Sequence, residues 1–160
     1  MNKIFRNRVV IITGSSRGIG KELANQVLSS GGKVVINSRT EATLNALADK
    51  LSKKFNDSNI LAFVGDISQK EQARNLIERT VDRFGTINIL INNAGLINYG
   101  CIGMFEPDSA KKVIDVNIYG VVFPTWYALP YIRESRGSIQ IVSSLAGIHG
   151  LPKYAPYSLS

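Results

Sequence analysis

Short apolar runs alternate with longer stretches of helical spacing along this chain, and few folds accommodate that order. Val9-Val10-Ile11-Ile12 is an unbroken β-branched run, the pattern of a strand buried on both faces. Ile19, Leu23, Val27 and Leu28 follow at helical spacing, and Gly31-Gly32 ends that helix. Residues 34–36, 60–64, 87–91 and 138–142 read as four further strands. Leu44, Leu47, Ala48 and Leu51 mark a second helix, and Ala73, Leu76, Ile77 and Val81 a third. Ser68, with Glu71 three residues later, has the form of a capping box opening that third helix, and Gly85 closes it. A long helical stretch runs from Asp108 to Glu134, interrupted at Pro124 and Pro130.

Strands and helices joined by short connections imply right-handed crossovers and a parallel sheet covered on both faces. The 160 residues contain no linker, repeat or low-complexity segment, and their length suits one hydrophobic core. We therefore expect a single α/β domain over residues 1–160, with a doubly wound parallel sheet. Such sheets bind ligands beyond the carboxyl ends of their strands.

The first βα turn reads Thr13-Gly14-Ser15-Ser16-Arg17-Gly18-Ile19-Gly20. Glycines there let the backbone turn tightly and approach a pyrophosphate, while the following helix offers free N–H groups and the positive end of its dipole. Ser15 and Ser16 add hydroxyl donors. A glycine-rich turn alone is a weak signal, and its position between the first strand and the first helix supplies the context the motif requires.

With this turn the sequence resembles the short-chain dehydrogenase/reductase family, whose glycine motif is Thr-Gly-x-x-x-Gly-x-Gly. Further motifs follow in the family's order. Asp66, with Ile67, stands after the third strand, where the family's acid contacts adenine. Asn92-Asn93-Ala94-Gly95 follows the fourth strand. Asn117 lies in the long helix, Ser144 after the fifth strand, and Tyr157 thirteen positions later. The resemblance spans the whole chain and implies a Rossmann-like, nucleotide-binding oxidoreductase. It assigns the dinucleotide site to Thr13, Gly14, Ser15, Ser16, Arg17, Gly18, Ile19, Gly20, Ser38, Arg39, Asp66, Ile67, Asn93, Ala94 and Gly95, and catalysis to Asn117, Ser144 and Tyr157.

The second strand ends Asn37-Ser38-Arg39-Thr40, without the acid that accepts from a ribose 2′-hydroxyl in NAD-binding folds. A carboxylate would repel a 2′-phosphate, whereas Arg39 can pair with it bidentately. Arg17 can reach the same phosphate from the other side. The expected cofactor is NADP(H), and the expected substrate a small carbonyl compound or alcohol. Reduction needs a proton donor at the developing alkoxide and a second hydrogen bond to its oxygen. The resemblance gives the first role to Tyr157 and the second to Ser144, and has Asn117 bend the long helix. Ala155-Pro156 suits the start of the tyrosine's helix.

In the family a lysine follows the tyrosine by four positions and favours its phenolate; that position would be 161, and the sequence given ends at Ser160. Lys153 precedes the helix, on the wrong side to substitute. On this reading the chain is truncated after its fifth strand and inactive alone. The family's strand order, 3-2-1-4-5-6-7, then makes the fifth strand an uncovered edge. The isolated chain should be poorly stable or paired with another chain. The full-length family member is expected to be a homo-oligomer.

Other function classes fare worse. The chain is basic, with 19 Lys+Arg against 12 Asp+Glu, yet these cations are scattered and form no nucleic-acid stripe. No apolar stretch is long enough to cross a membrane. Residues 1–8 do not read as a signal peptide. Cys101 is the only cysteine, so a cytoplasmic setting fits. His149 is the only histidine, which excludes a Ser-His-Asp triad and a His-based metal site. Methyl transfer from S-adenosylmethionine would want the acid missing after the second strand. A catalytically silent nucleotide-binding protein is the alternative to the reductase. Trp126, Tyr127 and Tyr131 read as helix packing or an oligomer contact, and Leu96, Ile97, Leu145, Ile148, Leu151 and Tyr154 as an apolar near wall of the substrate site.

Overall fold

A computed structural model describes residues 4–100 and 102–160, so Cys101 and the first three residues of the basic N-terminus lie outside the described residues. Five parallel strands form one sheet in the order β3-β2-β1-β4-β5. They are β1 (Val9–Ile12), β2 (Lys33–Ser38), β3 (Ile60–Val64), β4 (Ile89–Asn92) and β5 (Ser138–Ile141). The helices are α1 (Gly18–Ser29), α2 (Glu41–Ser52), α3 (Lys70–Phe84), α4 (Pro107–Ile114), α5 (Gly120–Glu134) and the short α6 (Ala155–Ser158). The sheet is the doubly wound, Rossmann-like one expected. The order reverses between β1 and β4, and there a cleft opens at the carboxyl ends.

Alternate residues of β1 serve opposite faces, as the pleat requires. Val10 and Ile12 join Val34, Ile36, Ala24, Val27 and Leu44 in a core under α1 and α2. Ile11 joins Val35, Leu76, Ile77, Leu90, Ala128 and Ile132 under α3 and α5. Burying one such side chain stabilises by about 1.5–3 kcal/mol, and Val10, Ile11 and Ile12 are fully buried. That is why a wholly apolar strand sits at the centre.

Three local expectations are corrected. Ser68 does not cap α3: the N-cap is Gln69 without a side-chain bond, because the Ser68 hydroxyl donates to Asp66 Oδ1 at 2.6 Å instead. Ile19 is on the helical spacing but not in the core; it is 62% exposed, and Gly20 and Ala24 are the buried residues at the start of α1. Pro124 and Pro130 do not interrupt the long helix. Both lie inside α5, and the break comes earlier, as a π-helical turn at Asp115–Tyr119. Tyr127 and Tyr131 pack against the second core, whereas Trp126 is exposed.

β5 is an edge, with Ser138, Gln140 and Ile141 exposed. An open edge beside apolar surface templates further pairing. Residues 1–160 produced as a fragment are expected to self-associate in sedimentation velocity, and a stable monomeric fragment at micromolar concentration would contradict this. Among the described residues no helix is long and apolar enough to cross a membrane.

Candidate functional site

The glycine turn is braced from across the switch point. Gly14 has φ +60°, and a Cβ there would lie 2.7 Å from Ala94 Cα, so only glycine lets β1 and the segment after β4 approach this closely. Thr13 is fully buried, and its Oγ1 accepts from the backbone N–H groups of Asn93 and Ala94, each at 3.0 Å. Asn93 Nδ2 donates to the carbonyls of Thr13 at 2.9 Å and Gly14 at 3.1 Å. Gly18 has φ +57°, with open space where a side chain would go. α1 begins without a side-chain cap, which leaves its first N–H groups for a ligand.

Ser15 behaves differently from the sequence reading. It is fully buried, and its hydroxyl accepts from Asn37 N at 2.9 Å rather than facing the cleft. Asn37 is a residue that sequence reasoning missed. Its Nδ2 donates to Phe63 O at 3.1 Å and Gly65 O at 3.0 Å, and its Oδ1 accepts from Gly14 N at 3.3 Å. One buried amide thus joins the glycine turn, the end of β2 and the turn carrying Asp66. A polar residue ending an apolar strand was the available signal.

Arg39 and Asp66 face each other at 3.8 Å. The pair is partly exposed, so its own stabilisation is at most about 1 kcal/mol. Asp66 is held by its neighbours: Oδ1 accepts from Ser68 N at 3.0 Å, and its backbone N donates to Gln72 Oε1 at 2.7 Å. Arg17 is exposed at the start of α1.

At the other end, Asn117 sits in the π-helical turn. Its Oδ1 accepts from Leu96 N at 2.7 Å, and its Nδ2 donates to Leu96 O at 3.0 Å and Ser160 Oγ at 2.8 Å. Ser144 Oγ accepts from Ala146 N at 3.2 Å; that bond uses a lone pair and leaves the hydroxyl proton free to donate. Tyr157 is in α6, its ring 6.4 Å from that of Tyr154, which meets Tyr99 edge-on at 5.1 Å. Neighbouring Asn92 donates to Thr125 Oγ1 at 3.0 Å, while its buried Oδ1 has no partner among the described residues.

One open cleft of about 720 Å³ gathers most of these groups. Gly14, Ser16, Arg17, Gly18, Ile19, Ser38, Arg39, Asp66, Ile67, Asn93, Ala94, Gly95, Ser144 and Tyr157 all line it. Asn37, Thr40, Thr43, Val116, Val142 and Ser143 join them without having been expected. Thr13, Ser15, Gly20 and Asn117 do not line it; each acts through the backbone it holds or lets approach. Of the proposed apolar wall, Leu96 and Ile97 line the cleft, and Leu145, Ile148 and Leu151 are exposed near it in sequence. His149 is exposed and off the cleft. Lys153 reaches over the Tyr99 ring, 5.7 Å from its centroid.

The model of the short chain dehydrogenase family matches residues 8–160. The chain belongs to that family. Its members are oxidoreductases that use nicotinamide cofactors. Similar curated proteins include 11-beta-hydroxysteroid dehydrogenase A of Sesamum indicum, 32% identical over 96% of this chain and 44% of its own length. Another is the 11-beta-hydroxysteroid dehydrogenase-like 2 protein of Arabidopsis thaliana, 32% identical over 96% of this chain and 50% of its own. The chain thus spans about half the length of the curated relatives it matches. A crystal structure of gluconate 5-dehydrogenase from Burkholderia cenocepacia, in complex with NADP and tartrate, superposes with a TM-score of 0.87. It is 31% identical, covering 99% of this chain and 62% of that one.

Proposed function

We propose that residues 1–160 form one NADP(H)-binding domain of an oxidoreductase that exchanges a hydride with a small carbonyl or alcohol substrate. The observation that carries this reading is a cleft lined both by the glycine turn and two arginines and by Ser144 and Tyr157. The residues fit the dinucleotide. Gly14 lets the turn close onto Ala94, Gly18 leaves open space where a side chain would stand, and uncapped α1 presents N–H groups to the pyrophosphate. Arg39 and Arg17 would hold a 2′-phosphate, and Asp66 the adenine edge.

When bound, NADPH supplies the hydride. The protein's own work is to orient and to move a proton. Ser144 donates its free hydroxyl proton as a hydrogen bond to the substrate oxygen. Tyr157 gives up its phenolic proton to that oxygen as charge develops there, and takes it back when an alcohol is oxidised. Asn117 holds the Leu96 backbone on the cleft wall at the reacting end. The exposed Trp126, Val122 and Tyr119 on one stretch of helix suit a contact between copies of the whole protein.

The test titrates NADPH and NADH against the protein as its gene encodes it, alongside a panel of ketones. Tighter NADPH binding with turnover of a ketone supports the reading; binding without turnover on any substrate favours a silent nucleotide-binding protein. Arg39→Ala sharpens the cofactor assignment. A charge-assisted hydrogen bond is worth about 1.5–3 kcal/mol, so NADPH affinity should fall roughly ten- to a hundredfold. NADH affinity should barely move. Equal losses for both cofactors would sink the 2′-phosphate role.

A further inference from the structure

Asp66 is held at every polar atom but one. Its backbone N donates to Gln72 Oε1 at 2.7 Å, and its backbone O accepts from Gln69 N at 2.9 Å. Its Oδ1 accepts twice from Ser68, from the backbone N at 3.0 Å and from the hydroxyl at 2.6 Å. Only Oδ2 makes no hydrogen bond among the described residues. It lies 3.8 Å from Arg39 Nη1, beyond hydrogen-bond length, and Asp66 and Arg39 both line the cleft. The backbone on either side is fixed as well. Gly65 N donates to Ser38 O at 3.0 Å, Gly65 O accepts from Asn37 Nδ2 at 3.0 Å, and Ile67 is buried in the second core.

We propose that Ser68 and Gln72 are positioning residues for base recognition: they lock Asp66 so that its one free acceptor, Oδ2, meets a purine edge that carries an amino group. The inference rests on the reading of Asp66 as the group at the adenine edge. The terminal torsion of a carboxylate is broad, so an unheld one turns either oxygen to water or to Arg39. The Ser68 hydroxyl removes that freedom. A bond of this length to a charged acceptor is a strong one, and Ser68 is buried, away from competing water. Gln72 does for the backbone of Asp66 what Ser68 does for its side chain. An ionised carboxylate can only accept. Held in place, it rewards an amino group and sets two acceptors face to face when the base carries an oxygen there. Ser68 forgoes a helix cap to do this, for α3 begins at its N-cap Gln69 without a side-chain bond.

The experiment titrates NADPH and its 6-oxo analogue, which carries hypoxanthine in place of adenine, by fluorescence. Wild type, Ser68→Ala, Ser68→Thr and Gln72→Ala are compared in the protein as its gene encodes it. A hydrogen bond to a charged group is worth about ten- to a hundredfold in affinity, so wild type should prefer NADPH by roughly tenfold or more. Ser68→Ala should shrink that preference by roughly five- to tenfold, the worth of about one ordinary hydrogen bond. Threonine retains the hydroxyl and should restore it. Gln72→Ala should shrink it in the same direction, and Gln72 is exposed, so its truncation leaves the core intact. A merely structural loss would weaken both nucleotides alike and leave their ratio unmoved, as Arg39→Ala should. A second readout needs no nucleotide: amide hydrogen exchange should quicken at residue 68 in Ser68→Ala and at Asp66 in Gln72→Ala. An unchanged ratio in both alanine variants would overturn the proposal. Wild type that binds the two nucleotides equally would overturn it together with the adenine role of Asp66. Wild type that binds neither would overturn the NADP(H) reading instead, and the exchange rates would still decide whether Ser68 and Gln72 hold Asp66.

Discussion

Tyr157→Phe is expected to abolish most carbonyl reduction, lowering kcat by about 10²–10⁴-fold, the usual contribution of a positioned general acid. NADPH affinity should be unaffected. The substitution is clean because phenylalanine retains the ring that packs beside Tyr154. The backbone bonds of α6 also stay, among them Ser158 N to Tyr154 O at 2.7 Å and Leu159 N to Ala155 O at 3.1 Å. Only the hydroxyl leaves. Stopped-flow measurement of hydride transfer, with cofactor binding followed by fluorescence, separates the chemical step from binding. If Tyr157→Phe kept more than about a tenth of wild-type kcat, the loss would fall below the range for a general acid, and the proton would have to come from elsewhere. Ser144, whose hydroxyl proton is free, would then be the first group to test.

Much of the framework was legible because burial writes itself into residue type. A strand covered on both faces must be apolar at every position, and Val9–Ile12 is. Gly85, with φ +76°, closes α3 as its place at the end of a helical pattern implied. The glycine turn was legible for a similar reason: Gly14 has no room for a side chain. What could not be read are choices among partners. Ser68 had a capping position open to it and took Asp66 instead. Ser15 had the cleft open to it and took Asn37. In the long helix prolines were the obvious breakers, yet α5 runs through both, and the irregular turn falls where Asn117 bonds Leu96. A hydroxyl or an amide has several equally good partners in principle. Only the assembled backbone decides among them.

Asn37 is where that decision carries the largest consequence for the framework. Asn37→Ala leaves the carbonyls of Phe63 and Gly65 without their donor at a position only 1% exposed. Each buried group left unsatisfied costs about 1–3 kcal/mol, so the variant should lose roughly 3 kcal/mol or more in urea unfolding. Its NADPH affinity should fall too, because Gly14 N loses a partner at the turn itself. Asn37→Asp is the sharper test. It matches asparagine in size and still accepts from Gly14 N, yet it replaces the one nitrogen that donates two hydrogen bonds by an oxygen facing two carbonyls. Desolvation and those carbonyls both disfavour the charged form, so its folded pKa must rise above the ordinary value of about 3.9. A group with a raised acid pKa destabilises increasingly as pH climbs past its unfolded value. Asn37→Asp should therefore be the less stable of the two variants at pH 7, and the gap should close as pH falls toward 4, where a protonated carboxyl regains one donor. An aspartate variant as stable as wild type at neutral pH would mean that the amide's donors hold nothing there, and that the glycine turn keeps its shape through Thr13 and Asn93 alone.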